Sequence, residues 1–239
     1  LKPPQRRPKS RRAPRRVGGG RRAMGAQLAP ITKQVPLLNG CCANLSLDTG
    51  RSVDLYVGDS ASALAVSEFE GGDGGAKESY YKDWDTLRGI LAAGDVVLVR
   101  GSWLEEVYRR GETLPRRQDL PPQAVWPLEE LMTRVKDHRV PTPQILSISY
   151  TWLSREHPDP EGFHLDTFAP LLEYFAQLSG SGGPGSVAVF IDWCSLYQNP
   201  RTETEAQAYR RALNHVDLWY GHSLTHVWLL TELPEDVRD

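Results

Sequence analysis

Cysteine is scarce in this chain, with three in 239 residues. Cys41 and Cys42 are adjacent and Cys194 stands far away, so there is neither a disulfide framework nor a paired CxxC metal spacing, and a reducing intracellular compartment, cytoplasm or nucleus, fits best. Long apolar runs are also missing. Asp95 interrupts the longest candidate, GILAAGDVVLV, which falls short of the ~18 apolar residues a membrane-spanning helix needs. There is no P-loop, no GxGxxG after a strand and no GxSxG, so the common nucleotide and hydrolase readings lack their key residues. An HExxH glutamate is lacking as well. His215, His222 and His226 therefore do not read as a zinc site, because the helix carrying the first is expected to end near Gly221.

What is present is an ordinary globular balance, 40% hydrophobic and 24% charged, enough to bury a core in one large or two small domains. The charge is laid out unevenly. Residues 1 to 22 hold ten Lys or Arg and no acid, which leaves 18 basic residues facing 30 acids in the remainder, a balance of −12. A basic stretch rich in Pro and Gly and poor in apolar residues cannot offset the entropy of ordering, so residues 1 to 30 are read as a disordered basic arm. A solvated tail, a nuclear import signal, a nucleic-acid phosphate contact through residues 1 to 22 and the remains of a transit peptide all fit it. The chain opens on Leu1 rather than Met, which fits a trimmed or partial chain.

Residues 31 to 140 read as a loosely defined α/β region. SVDLYV (52 to 57) suits a strand, and EGGDGGAKES suits a flexible loop. Asp83 or Asp85 can cap a short helix carrying Leu87, Ile90 and Leu91 and closed by Gly94, after which VVLVR (96 to 100) reads as a buried strand. SWLEEVYRR suggests a helical turn or two. Pro127 suits the first position of a helix over 127 to 137 with Leu128, Leu131, Met132 and Val135 on one face. Pro141 and Pro143 break the pattern and mark a domain boundary.

Residues 141 to 239 are far more periodic. ILSISYTW is a strand; the helix after it carries Phe168, Leu171, Leu172, Phe175 and Leu178, and Pro170 is tolerable there only in the first turn. VAVFI (187 to 191) is continuously apolar, as in a parallel strand covered on both faces, and stops at Asp192. Thr202 and Glu205 form a T-x-x-E capping box for a helix that continues through Tyr209, Ala212, Leu213, Val216 and Trp219, and VWLL (227 to 230) is a third strand. Parallel strands joined by helices make half of an open, doubly wound sheet, to which VVLVR and DLYV can add strands from the N-terminal half.

In such sheets ligands bind beyond the carboxyl ends of the strands. Those ends hold Ser149, Tyr150, Trp152, Trp193, Cys194 and Gln198, which are the ligand-binding candidates. Asp192, costly to bury unless hydrogen-bonded or bound to something, is the first catalytic candidate, and a carboxylate taken up by N–H groups of its own loop is the competing reading. Glu205 is the second catalytic candidate, although capping and the helix dipole already account for it and for Glu203. Cys194 would act as a nucleophile only with a base beside it.

The strand ends ISYTW and FIDWCSLYQ, followed by an acidic-capped helix, resemble the heterokaryon-incompatibility family, which pairs an S-Y-x-W strand end with an I-D-x-x-C-x-x-Q strand end and is similar in fold to TIR domains. GDVVLVRGSWL, EHPDPEGFHLD and LWYGH also resemble segments of uncharacterised algal and other protist proteins that carry this module. The resemblance implies a TIR/flavodoxin-like open parallel sheet with helices on both faces, and a pocket shared by Ser149, Tyr150, Trp152, Asp192, Cys194 and Gln198. It implies a signalling or interaction role with self-association through helix faces. In TIR relatives it also implies hydrolytic cleavage of NAD at the nicotinamide bond, with NAD as substrate, by a glutamate on the helix after the third strand. Glu232 and Glu235 are the acids nearest that position. SLYQ stands here where the family usually ends in I-N-Q.

Overall fold

The structure, a computed structural model, describes residues 31–33, 43–47, 52–56, 80–136, 144–178 and 184–237. The basic arm, Cys41 and Cys42, the EGGDGGAKES segment and Pro141 and Pro143 lie outside the described residues. Among the described residues, seven strands form one sheet: β1 (Ile31–Lys33), β2 (Ala43–Leu47), β3 (Ser52–Tyr56), β4 (Val99–Arg100), β5 (Gln144–Tyr150), β6 (Val187–Ile191) and β7 (Thr225–Leu230). Their order across the sheet is β1-β2-β3-β7-β5-β6-β4. The helices are α1 (Trp84–Ala92), α2 (Gly101–Arg110), α3 (Leu128–Lys136), α4 (Phe163–Leu178), α5 (Asp192–Ser195), α6 (Glu203–Leu213) and α7 (Leu218–Gly221).

At the centre β5 runs parallel to β6 on one side and to β7 on the other. The outer strands depart from the all-parallel sheet expected from sequence. β4 pairs antiparallel with β6, and β1, β2 and β3 pair antiparallel in succession, with β3 antiparallel to β7. The links over 34–42 and 48–51 are too short for the parallel crossover of about a dozen residues, so consecutive strands there must reverse. Both N-terminal strand candidates therefore join the sheet, and strands on either side of Pro141 and Pro143 share one hydrogen-bonded ladder.

Alternation along β5 and β6 sorts their side chains onto two faces. Leu146, Ile148, Val187, Val189 and Ile191 pack with Leu165, Phe168, Leu171, Leu172 and Phe175 of α4 and with Trp103, Leu104 and Val107 of α2. Ile145, Ala188 and Phe190 pack instead with Leu87 and Ile90 of α1, Leu131 of α3, Ala212 of α6 and Leu218 and Trp219 of α7. Each fully buried Leu or Phe among these stabilises the fold by ~2 kcal/mol. The continuous apolar run of β6 follows from this cover on both faces.

Three local expectations change. Pro170 sits in the interior of α4, because the helix starts earlier than Pro170 suggested. Gly162, at φ 77°, turns the chain, and the Asp159 carboxylate accepts from the backbone N–H groups of His164 (3.1 Å) and Leu165 (2.9 Å), capping the helix at that point. The helix expected to run through Trp219 stops at Leu213 and resumes as α7. The break lets the Trp219 ring stack on Phe190 at 5.1 Å and 4°, and lets its carbonyl accept from Ser147 Oγ at 2.5 Å.

The strand expected over 96 to 100 shrinks to β4 because the polar groups just before it bond elsewhere. The buried Arg117 guanidinium donates to the carbonyls of Gly94 (2.5 Å), Asp95 and Ser195 (3.2 Å), while Val97 N donates to Ser195 O at 3.2 Å. Its cationic head also lies 3.7 Å from the centroid of the Tyr197 ring. Truncating it would strand three acceptors. Arg117→Ala is expected to lower the unfolding free energy by about 3 kcal/mol in urea titrations, with Arg117→Lys recovering only part because a point-like ammonium cannot span the fork.

Glu105 of α2 is buried, with Oε2 paired to Arg109 at 2.7 Å and Oε1 lacking a hydrogen-bond partner. Burial raises its pKa, partly opposed by Arg109 and assisted by Glu173. A folded-state pKa above the unfolded value means that the folded protein holds this proton more tightly. The contribution of Glu105 is then fully present in acid and is lost as pH rises through the raised value. Glu105→Gln should therefore gain melting temperature relative to the parent as pH goes from about 4 to about 7. A gap that does not change with pH would contradict this.

Candidate functional site

α4, which follows β5, packs on one face of the sheet, and α6 and α7, which lead from β6 to β7, pack on the other. In open α/β sheets, adjacent strand ends whose connections leave toward opposite faces are where ligands ordinarily bind. Tyr150 closes β5, and Asp192, immediately after Ile191, opens the single turn of α5. In the β5–β6 register Ile148 stands opposite Ile191, so Tyr150 and Trp152 reach beyond the same edge as Asp192.

There the Asp192 carboxylate collects three donors. Tyr150 OH donates to Oδ1 at 2.6 Å, Trp193 N donates to Oδ1 at 2.6 Å, and Trp152 Nε1 donates to Oδ2 at 2.9 Å. All three donors are neutral, and among the described residues no Lys or Arg pairs with this carboxylate. A carboxylate has about four acceptor sites, so one on Oδ2 remains. Burial pushes the Tyr150 hydroxyl well above the usual phenol range and the charge of Asp192 adds to this, so Tyr150 stays a donor throughout the ordinary pH range.

Further bonds fix α5 from the side. Trp193 Nε1 donates to Leu114 O at 2.9 Å, and the Trp193 ring meets His157 at 4.8 Å and Trp152 edge-on at 5.6 Å. The Cys194 thiol donates to Pro115 O at 3.3 Å. Gln118 and Gln198 clasp each other: Gln198 N donates to Gln118 Oε1 at 3.0 Å and Gln118 Nε2 to Gln198 O at 2.5 Å. The Gln198 amide turns inward to the carbonyls of Asp192 (3.0 Å) and Leu196 (2.9 Å).

Of the residues singled out by sequence, Tyr150, Trp152, Asp192 and Trp193 thus meet. Cys194 and Gln198 lie beneath them, buried. Burial, with the charge of Asp192 as a lesser cause, raises the Cys194 thiol pKa, which keeps it a thiol. Ser149 alternates with Tyr150 and so leaves β5 on the opposite face, level with Leu229 of β7. Glu205 is fixed as the cap: its Oε2 accepts from Thr202 N at 2.8 Å and Thr202 Oγ1 at 3.0 Å, while Glu205 N donates to Thr202 Oγ1 at 3.3 Å. Glu235 lies in a short 3-10 turn, Glu235–Val237, after β7.

Tyr220 was not foreseen. Its ring meets Phe190 edge-on at 5.8 Å, and desolvation together with the Asp192 charge raises its hydroxyl pKa. The signal was the LWYG segment, whose helical spacing pointed to Trp219 and hid its neighbour. Leu114 and Gln118 were equally hidden, because they act through a backbone carbonyl and a loop amide.

A cleft of ≈ 400 Å³ adjoins the loop that carries Pro115, with Trp103, Arg110, Glu112 and Asp119 in its walls. The three histidines weighed as zinc ligands go separate ways: His215 Nδ1 to Tyr80 OH (2.6 Å), His222 Nε2 to Asp83 O (3.2 Å) and His226 Nε2 to Gln144 Oε1 (2.8 Å). Among the described residues no group of three or more His, Cys, Asp or Glu is placed to hold a metal ion, and no helix is long and apolar enough to cross a membrane.

Fold and site together define an α/β protein with a carboxylate-centred aromatic cluster at the ends of its central strands. No protein family, no curated protein and no solved structure matches the chain.

Asp192→Asn turns one carboxylate oxygen into a donor facing donors, and Tyr150→Phe removes the hydroxyl. Each is expected to cost about 1–3 kcal/mol of unfolding free energy, followed by tryptophan fluorescence in urea. Because the two groups bond each other, the double variant should lose less than the sum of the single losses. Strictly additive losses would contradict the bond.

Proposed function

We propose that this chain is a TIR/HET-like signalling or interaction module, with a TIR/flavodoxin-like core, that works through the strand-end face rather than by cleaving a substrate. The observation that carries this reading is the engagement of the polar groups there. Asp192 accepts from Tyr150, Trp152 and Trp193, Gln198 is turned inward and Cys194 is a buried thiol. A nucleophile or general acid needs a free proton position or lone pair aimed at substrate, which the inward-turned Gln198 and the buried Cys194 lack, while the one acceptor site left on Asp192 Oδ2 suits a hydrogen-bond donor of a partner. The second acid weighed for catalysis, Glu205, is occupied as a cap.

Charge favours the same reading over NAD cleavage. In sequence, Glu156, Asp159, Glu161, Glu232, Glu235, Asp236 and Asp239 stand in the segments leaving β5 and β7, against Arg155 and Arg238. A pyrophosphate would approach like charge, where such sites ordinarily present backbone N–H groups or arginine. Self-association through helix faces remains part of the reading; nucleic-acid binding would rest on residues 1 to 22, outside the described residues. Purified protein incubated with NAD should release no nicotinamide above a protein-free control. Release that Asp192→Ala abolishes would overturn the reading.

A further inference from the structure

Trp152 stands 38% exposed at the end of the packed sheet. Trp152 is not loose: its indole N–H is tied to Asp192 Oδ2 at 2.9 Å and its ring is braced edge-on by Trp193 at 5.6 Å. An ordered aromatic ring that leaves more than a third of its surface in water, beside a carboxylate hydrogen-bonded only by neutral donors, is the complement of a cation. The rest of the chain shows what such rings take. Arg117 lies over Tyr197 at 3.7 Å, Arg201 over Tyr209 at 3.5 Å and Arg100 over Trp126 at 4.3 Å. Among the described residues no arginine or lysine lies over Trp152, and none pairs with Asp192.

Resting on the interaction-module reading above, we propose that Trp152 and Asp192 form a receptor site for the arginine side chains of a basic peptide segment, and that residues 1 to 22 of this chain are the segment it takes. A guanidinium is planar, stacks on an aromatic face and carries only donors, so it can lie along Trp152 while an N–H bonds the remaining acceptor site of Oδ2. Lysine satisfies the charge but not the stacking. Residues 1 to 22 hold eight arginines and two lysines with no acid, against −12 in the remainder. Reach is sufficient. From β1 to β5 is four strand spacings, ~19 Å, and the stretch from Arg22 to Ile31 extends to ~30 Å. Engagement within one chain or between two copies follows the same chemistry.

The test uses the 239-residue chain with the ten basic residues of 1 to 22 replaced by Gln, titrated with a labelled synthetic peptide of residues 1 to 22 and followed by fluorescence anisotropy. Saturable binding is expected, weakened about tenfold by Trp152→Ala and by Asp192→Asn, and weakened similarly when lysine replaces every arginine of the peptide. Trp152→Ala changes a partly exposed side chain, so it reports on the site even if Asp192→Asn disturbs folding. The parent chain, its own arm in place, should bind added peptide about tenfold more weakly than the neutralised chain. Binding indifferent to Trp152 and to the arginine-to-lysine exchange would overturn the site, and equal affinity of parent and neutralised chains would overturn the assignment to residues 1 to 22. Nicotinamide release by the same samples would sink the interaction-module reading itself, an outcome separate from any failure of the peptide to bind.

Discussion

The Asp192 carboxylate is where the two central strands are tied at their working end. Tyr150 and Trp152 belong to the exit of β5, and Asp192 and Trp193 to the exit of β6, so the bonds at 2.6 and 2.9 Å join segments about forty residues apart in sequence. They extend past the last β5–β6 ladder pair, Ile148 with Ile191, and join the two exits beyond it. A partly buried carboxylate is tolerable here because three donors replace its water, and donors that are neutral leave its charge in place. The same group is therefore both a latch and the negative centre of the strand-end face.

Everything beneath depends on that geometry. With α5 held in position, Trp193 and Cys194 reach the carbonyls of Leu114 and Pro115, and Gln198 meets Gln118, so the loop after α2 is fastened to the sheet end. Arg117, inside that loop, satisfies three carbonyls of the segment before β4 and of α5. A single sequence-distant network thus connects the strand exits, the edge strand and the loop wall of the neighbouring cleft. The partly exposed Trp152 ring stands on the outer surface of this network.

The periodic elements were legible in sequence. The apolar runs of β5, β6 and β7, the capping box of Thr202 and Glu205, and the Asp83 cap are local patterns with local causes, and each forms where its residues indicate. What sequence hid was decided by distant partners. Pairing direction in the outer strands, the shortening of β4 by Arg117 and the break after Leu213 each depend on groups remote in sequence. The site shows the same division: strand ends located Tyr150, Trp152 and Asp192, whereas Tyr220 and the backbone acceptors at Leu114 and Pro115 became visible only once the chain was folded.

The most direct measurement is hydrogen exchange at the Trp152 indole N–H by NMR. The ring is 38% exposed, yet its N–H is predicted to exchange far more slowly than a free indole and to lose that protection in Asp192→Asn. An indole proton that exchanges at the free rate in the parent protein would contradict the carboxylate latch on which the account rests.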